Sequence, residues 1–389
     1  MGTVYLDYAA TTPLDPRVFE AMLPFLREQH GNPSSLHLAG RQARAAVDRA
    51  REQVAQLLHA QPDEIIFTGS GTEADNLALF GVLEGCDAPK HLIVSAIEHP
   101  AVLECAAALS QRGVAVTRLP VTPECLVEPG QLQAALGPRT RLVSIMAANN
   151  VTGTLQPVGE LAQIARQRGV LFHTDAVQAV GQVPFNLTQQ PIDLLSLSAH
   201  KLCGPKGVGA LFVRRGVALR PVLHGGGQER GLRPATENVA GIAGLGQAAE
   251  LAARERAEEA ARLVQLRDAC LERIRTALPN SYLIGHPHRR LPGHLCLGFA
   301  GQEGAAIKVM LELDREGIAV STGSACSGRH SAAPSHVLQA MGFDPVRARG
   351  LLRITLGRFT VEQDLERLLA VLPRVVGQLR PMMTSSATL

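Results

Sequence analysis

Leu194-Leu195-Ser196-Leu197-Ser198-Ala199-His200-Lys201-Leu202-Cys203-Gly204-Pro205-Lys206-Gly207-Val208-Gly209-Ala210-Leu211-Phe212-Val213 is the stretch on which the fold turns. Its two ends, Leu194–Leu197 and Gly209–Val213, are short apolar runs of strand length, joined by a polar turn, a lysine and a glycine-rich return. Upstream, the same kind of run recurs at Glu64–Phe67, His91–Val94, Arg141–Met146 and Leu171–His173, with helically spaced segments between. Strands alternating with helices imply a mostly parallel sheet covered on both faces. Such sheets receive ligands beyond their strand ends, where loops meet helix N-termini.

Downstream, residues 246–277 are rich in Ala, Glu, Arg and Leu and read as a long helix leading to a second unit over about 281–380. The tail from Pro381 is small and polar. A chain of 389 residues, 46% apolar and 19% charged, has the composition of a globular protein of two domains. The formal net charge is only +3, no Lys/Arg block stands out, and tryptophan is absent, so direct nucleic-acid binding is not expected. No uninterrupted apolar run is long enough for a membrane span. The start, Met1-Gly2-Thr3-Val4-Tyr5-Leu6-Asp7, lacks the basic and apolar regions of a secretion signal. Seven scattered cysteines without CxxC spacing argue against a metal site or a disulfide framework, and a cytoplasmic location is expected.

Six segments carry chemistry. Lys201, held and partly desolvated between a strand and a glycine-rich return, is a candidate Schiff-base lysine, with Ser198 and His200 as phosphate donors beside it. Asp175, in His173-Thr174-Asp175-Ala176-Val177-Gln178, ends a buried strand, where a carboxylate needs a cationic partner. A protonated pyridine nitrogen is such a partner, as in enzymes that use pyridoxal phosphate as an electron sink. Taken alone Asp175 is more simply a helix N-cap and Lys201 a surface lysine; their spacing makes the pair informative. Thr68-Gly69-Ser70-Gly71-Thr72 lets backbone approach an anion at the start of a helix, with the Thr72 hydroxyl added. His99 follows a strand and can stack on a ring or move a proton. Cys326, in Ser321-Thr322-Gly323-Ser324-Ala325-Cys326-Ser327-Gly328, sits among small residues, a setting for an exposed nucleophilic thiolate. Arg353 lies on a strand-like run and can clamp a carboxylate, although a surface ion pair is the blander reading.

Together these residues resemble the cysteine desulfurases of the class V aminotransferase superfamily. The resemblance runs from Tyr5-Leu6-Asp7-Tyr8-Ala9-Ala10-Thr11-Thr12-Pro13 to Leu356-Gly357-Arg358-Phe359-Thr360. It includes Asn32–His37, Glu98-His99, Asn149-Asn150, His173–Gln178, Ser198–Lys201, Gly225–Thr236 and Gly323–Cys326. The long segment after Cys326, ending in Pro334-Ser335-His336-Val337-Leu338, is similar to the long-loop group. Two positions depart from that group. Val151 stands where many long-loop members carry Glu, and Cys203 occupies a variable place in the lysine motif.

The resemblance implies a fold-type-I α/β enzyme using pyridoxal 5′-phosphate. Its large domain, residues 16–260, would hold a mostly parallel seven-stranded sheet flanked by helices. A smaller α/β domain, residues 1–15 and 261–389, would carry a mobile cysteine loop at about 321–335. Lys201 would carry the cofactor, Asp175 would pair with the ring nitrogen, Gln178 would hydrogen-bond the ring oxygen and His99 would stack on the ring. Gly71, Thr72, Ser198 and His200 would hold the phosphate, joined by Thr236 of the second subunit of a homodimer whose site is shared. Asn150 and Arg353 would orient the L-cysteine carboxylate. The implied reaction converts L-cysteine to alanine and leaves its sulfur on Cys326 as a persulfide, for a protein acceptor such as an iron–sulfur scaffold. The same fold serves C–S or C–Se lyases and aminotransferases, and a non-enzymatic sulfur-relay scaffold is a further alternative.

Overall fold

The computed structural model describes residues 3–84, 90–322 and 334–378. The runs read as strands do pair, and one more joins them. The main sheet comprises β2 (Ile65–Thr68), β3 (His91–Ser95), β4 (Ala115–Leu119), β5 (Thr140–Ser144), β6 (Leu171–Asp175), β7 (Leu194–Ser198) and β8 (Gly209–Val213). Their order across the sheet is β2-β8-β7-β6-β5-β3-β4. β3 through β7 are mutually parallel, and β8 runs antiparallel to both β7 and β2. The short glycine-rich return after Lys201 is why: a two-stranded antiparallel connection needs only a turn, whereas each parallel step needs a crossover.

Alternation along the strands divides the core in two. Ile65, Phe67, Ile93, Val143, Phe172, Leu195, Ala210 and Phe212 point to one face. Ile66, Leu92, Val94, Leu142, Leu194, Leu211 and Val213 point to the other. Helices cover both faces, so β2, β7 and β8 are buried throughout and their sequences are mostly apolar, with only Thr68, Ser196 and Ser198 polar. β4 went unnamed as a strand in the sequence because it is the sheet edge. Only Leu119 of its five residues is buried, and Thr117 and Arg118 break the apolar run.

The helices preceding and within this region are α1 (Pro16–Arg27), α2 (Leu38–Leu58), α3 (Gly71–Leu83), α4 (Pro100–Gln111), α5 (Pro129–Ala135) and α6 (Val158–Gln167). α7 runs from Val239 to Ala277, starting seven residues before the segment whose composition suggests a helix. Gly241, Gly244 and Gly246 hide its first turns, since glycine is a poor helix former. They are there for packing. A Cβ on Gly244 would lie 2.7 Å from Met22 Sδ of α1, and one on Gly246 would lie 2.6 Å from Ala50 Cα of α2. Ile242, Leu245 and Ala248 of α7 enter the main core, whereas Leu263, Cys270 and Ile274 enter a second one.

That second core lies under the antiparallel strands β9 (Ser281–Leu283), β10 (His294–Phe299) and β12 (Leu352–Thr355), with α8 (Ala306–Arg315) and α10 (Glu362–Gln378). The chain's start joins it, β1 (Val4–Tyr5) pairing in parallel with β11 (Ile318–Ala319). α9 (His336–Ala340) completes the helices described. No helix among the described residues is long and apolar enough to cross a membrane.

Candidate active site

A cavity of ≈ 160 Å³ opens at the C-terminal ends of the parallel strands, lined by Ala9, Ala10, Ser70, Gly71, Thr72, Asp75, His99, Met146, Asn150, Asp175, Val177, Gln178, Ser198, His200 and Lys201. Nine positions singled out in the sequence therefore share one wall. A larger cavity, ≈ 690 Å³, lies between α2 and residues 227–230. Its arginines are already engaged: Arg44 by Glu237 at 2.5 Å, Arg51 by Glu229 at 2.6 Å and Arg230 by the Ile65 carbonyl at 3.0 Å.

At one end of the smaller cavity, Ser70 caps α3, its hydroxyl accepting from Glu73 N at 3.1 Å. The opening N–H groups of a helix lack intrahelical acceptors and favour an anion. Position 71 must be glycine, because a Cβ there would lie 2.6 Å from Val177 Cγ2. Ser198, at the end of β7, and His200, in the following turn, line the same cavity. Burial, then the adjacent Lys201 and Lys206, pushes the His200 imidazole down to about 4, so it is neutral near pH 7.

In the same cavity, Asp175, 6% exposed, closes β6, its carboxylate accepting from Val177 N at 2.9 Å. Burial raises its carboxyl, while His99 and Lys201 act in the opposite direction. His99 caps α4, its Nδ1 accepting from Ala101 N at 3.1 Å, which leaves the proton of the neutral ring on Nε2. The Lys201 amine donates to the carbonyl of Ala10 at 2.8 Å and to that of Ala9, and the Gln178 amide donates to Ala9 O at 2.9 Å. Asn150 lines the cavity, and its carbonyl accepts from Arg353 Nη1 at 2.9 Å.

Two of the predicted residues stand apart from this wall. Arg353 is not a lining residue; it lies behind Asn150, buried, with Nη2 donating to Asp7 at 2.8 Å. Thr236 is exposed and lines none of the chain's own cavity. Cys326 lies outside the described residues, as does most of its surrounding segment. Both flanks of that segment do reach the site. Ser321 pairs with Arg353 through N–H···O bonds of 2.7 and 3.1 Å, and His336 Nε2 lies 3.1 Å from the carbonyl of Glu98, next to His99.

Sequence reading missed the backbone carbonyls of Ala9 and Ala10, which no side chain signals. It also missed a buried polar cluster beside Asp175. Asp75 is 1% exposed and lies 3.6 Å from His173 Nε2. Burial, then the nearby Asp175, drives the Asp75 carboxyl well above its ordinary value. Glu98 accepts from Met146 N at 3.0 Å and from the Ser95 hydroxyl, and burial pushes it up to about 8. His173 lies 2.8 Å from Ser144 Oγ and 3.0 Å from Ser196 Oγ, and burial holds it down to about 3. An acidic residue on the apolar face of a helix, as Asp75 is beside Ala74, Ala78 and Leu79 on α3, was the available signal.

The wall fits pyridoxal phosphate. A cavity of roughly 150 Å³ suffices for a benzene ring. A buried carboxylate with one backbone donor matches a cationic ring nitrogen. A glycine-lined helix start with hydroxyls matches a phosphate, and the Lys201 amine shares the cavity with both. Among the described residues no group of three or more His, Cys, Asp or Glu could hold a metal ion.

The Aminotransferase class-V family model matches residues 4–368. Cysteine desulfurase IscS of Dictyoglomus turgidum is 49% identical over 378 residues, covering 97% of this chain and 95% of that protein. The solved structure of a NifS-like protein superposes with a TM-score of 0.90 at 39% identity, covering 97% of this chain and all of that one. A structure of SspA in complex with cysteine superposes with a TM-score of 0.82 at 35% identity, over 92% of this chain and all of that one. The chain belongs to the Aminotransferase class-V family, among its cysteine desulfurases.

Proposed function

We propose that this protein converts L-cysteine to L-alanine, passing the sulfur to Cys326. The observation that carries this is the single cavity on which Lys201, Asp175, His99, Thr72, Ser198 and His200 converge. Bound there, pyridoxal phosphate supplies an electron sink that loosens the bonds around Cα of an amino acid.

The chain's own residues account for the rest. Asp175 would pair with the cationic ring nitrogen, and Gln178 and His99 would hold the ring. Gly71, Thr72, Ser198 and His200 bind the phosphate, with His200 donating as a neutral imidazole. Lys201 carries the cofactor and, once its amine is free, moves the α-proton. The Ala9 and Ala10 carbonyls hold that amine in place. Arg353, with Asn150 in front of it, receives the substrate carboxylate. His99, with its Nε2 proton, is the relay for the thiol.

In the sulfur-transfer step the Cys326 thiolate attacks the sulfur of the substrate. An S–S bond forms and the Cβ–S bond breaks, its electron pair staying with the carbon, which gains a proton. The balance is one cysteine in, one alanine and one enzyme persulfide out. Cys326 is assigned from its sequence setting and from the anchoring of its flanks beside Arg353 and His99. The exposure of Thr236 suits a homodimer in which it reaches the neighbour's phosphate site. An iron–sulfur scaffold or another sulfur-accepting protein would then discharge the persulfide. Residues 16–260 would form the cofactor domain and residues 1–15 with 261–389 the second; the boundary falls within α7, where its contacts change core.

Incubation with L-cysteine tests this reading. Alanine and Cys326 persulfide should form in equal amounts in the first turnover. Cys326→Ser should keep the cofactor's colour and lose the persulfide. Sulfide release by that variant at the wild-type rate would remove Cys326 from the reaction and favour a C–S lyase.

A further inference from the structure

A buried guanidinium needs a counter-charge, and Arg353, 2% exposed, has a resident one. Asp7 Oδ1 lies 2.8 Å from Nη2, and the Asn150 carbonyl takes Nη1 at 2.9 Å. Nε is buried and makes no hydrogen bond within the described residues. The guanidinium is thus neutralised on one edge and keeps donor capacity for another acceptor.

The backbone at Asp7 does not depend on this side chain. Leu6 N donates to Ala319 O at 2.9 Å, Thr355 N donates to Leu6 O at 2.8 Å, and the Tyr5 hydroxyl donates to Asp7 O at 3.0 Å. The segment then continues to Thr12, whose hydroxyl donates to His200 O at 2.8 Å. Two layers of main-chain contact therefore deliver a carboxylate to Arg353 whatever its charge contributes to the fold.

An arginine that already faces a carboxylate is a weaker site for a second one, because the two anions repel across a few ångströms of low-dielectric space. We propose that Asp7 is a positioning counter-ion that holds down the affinity of Arg353 for an amino-acid α-carboxylate, so that the alanine product leaves. This rests on the reading of Arg353 as the substrate-carboxylate group. The sign is distinctive. A merely structural ion pair, once broken, loosens the site and weakens binding; a tempering counter-ion, once neutralised, tightens it.

The test titrates holoenzyme with L-alanine and with L-alaninamide, which lacks the carboxylate, and follows the cofactor's visible spectrum. Asp7→Asn should lower the Kd for L-alanine by about three- to tenfold while leaving that for L-alaninamide within about twofold. Asp7→Ser should shift it the same way and serves if the Asn variant does not fold. Arg353→Gln should abolish the preference for L-alanine over L-alaninamide. If Arg353→Gln abolishes the preference and the Asp7 variants bind L-alanine no more tightly than wild type, the counter-ion proposal fails and the clamp stands. If Arg353→Gln keeps the wild-type preference, the reading of Arg353 itself fails.

Discussion

The two sides of the cavity are built in opposite ways. On the cofactor side, Asp175, Gln178, Ser198, His200 and Lys201 come from a short span of chain on neighbouring parallel strands whose register is fixed by buried hydrogen bonds. On the side proposed for the substrate, Arg353, behind Asn150, is held by Asp7, 346 positions away in sequence, and the flanks of the Cys326 segment lean on Arg353 and Glu98. The first arrangement is rigid because it is part of the core. The second is an assembly of distant pieces. Changes on the cofactor side should therefore remove the chemistry, and changes on the substrate side should alter which molecules bind and how tightly.

The largest effect is expected at Asp175. Asp175→Ala removes the buried partner of a cation, a loss of about 3–5 kcal/mol, so kcat/KM should fall by about 10³-fold with cofactor affinity falling alongside. Cofactor retention after gel filtration, measured with steady-state rates, checks both. Full retention of the cofactor by this variant would erase the contrast between the two sides.

Arg353→Gln should cost less, about 10²-fold in kcat/KM, with the cofactor kept. A spectrum like that of the wild type with a raised KM for L-cysteine is the expected signature. Loss of the cofactor from this variant would mean that Arg353 supports the cofactor side as well.

The smallest effect on turnover is expected at Glu98, in the buried cluster near Asp175. Its carboxyl, pushed up to about 8 by burial, keeps its proton in the folded chain where the unfolded chain has lost it. That contribution to stability is complete below the ordinary value of 4.5 and disappears as pH rises through about 8. Relative to Glu98→Gln, the wild type should lose roughly tenfold in its folding constant per pH unit across that window. Denaturant titrations of both proteins between pH 5 and 8 measure it. Parallel pH profiles would mean that Glu98 is ionised in the fold.

The same contrast explains what could be read from the sequence. The cofactor side was legible because its residues cluster around two short motifs at the ends of buried strands that begin apolar, Leu171-Phe172 and Leu194-Leu195. The helix ahead of residue 246 was not, because its glycines look unfavourable until α1 and α2 are packed against them. β4 was hidden by its exposed edge. The Ala9 and Ala10 carbonyls and the Asp7–Arg353 pair were illegible for a different reason: backbone acceptors leave no residue signature, and a contact across 346 positions leaves no local one. Thr236 and Cys326 were named from motifs alone.

The central claim is that Lys201 is the amine that carries the cofactor opposite Asp175. The chain has four lysines, at 90, 201, 206 and 308, so the claim can be tested without ambiguity. The protein is loaded with pyridoxal phosphate, reduced with borohydride, digested and mapped by mass spectrometry. The added mass should sit on Lys201 and vanish in Lys201→Ala. Stoichiometric labelling of Lys206, or of either distant lysine, in the wild-type protein would contradict it.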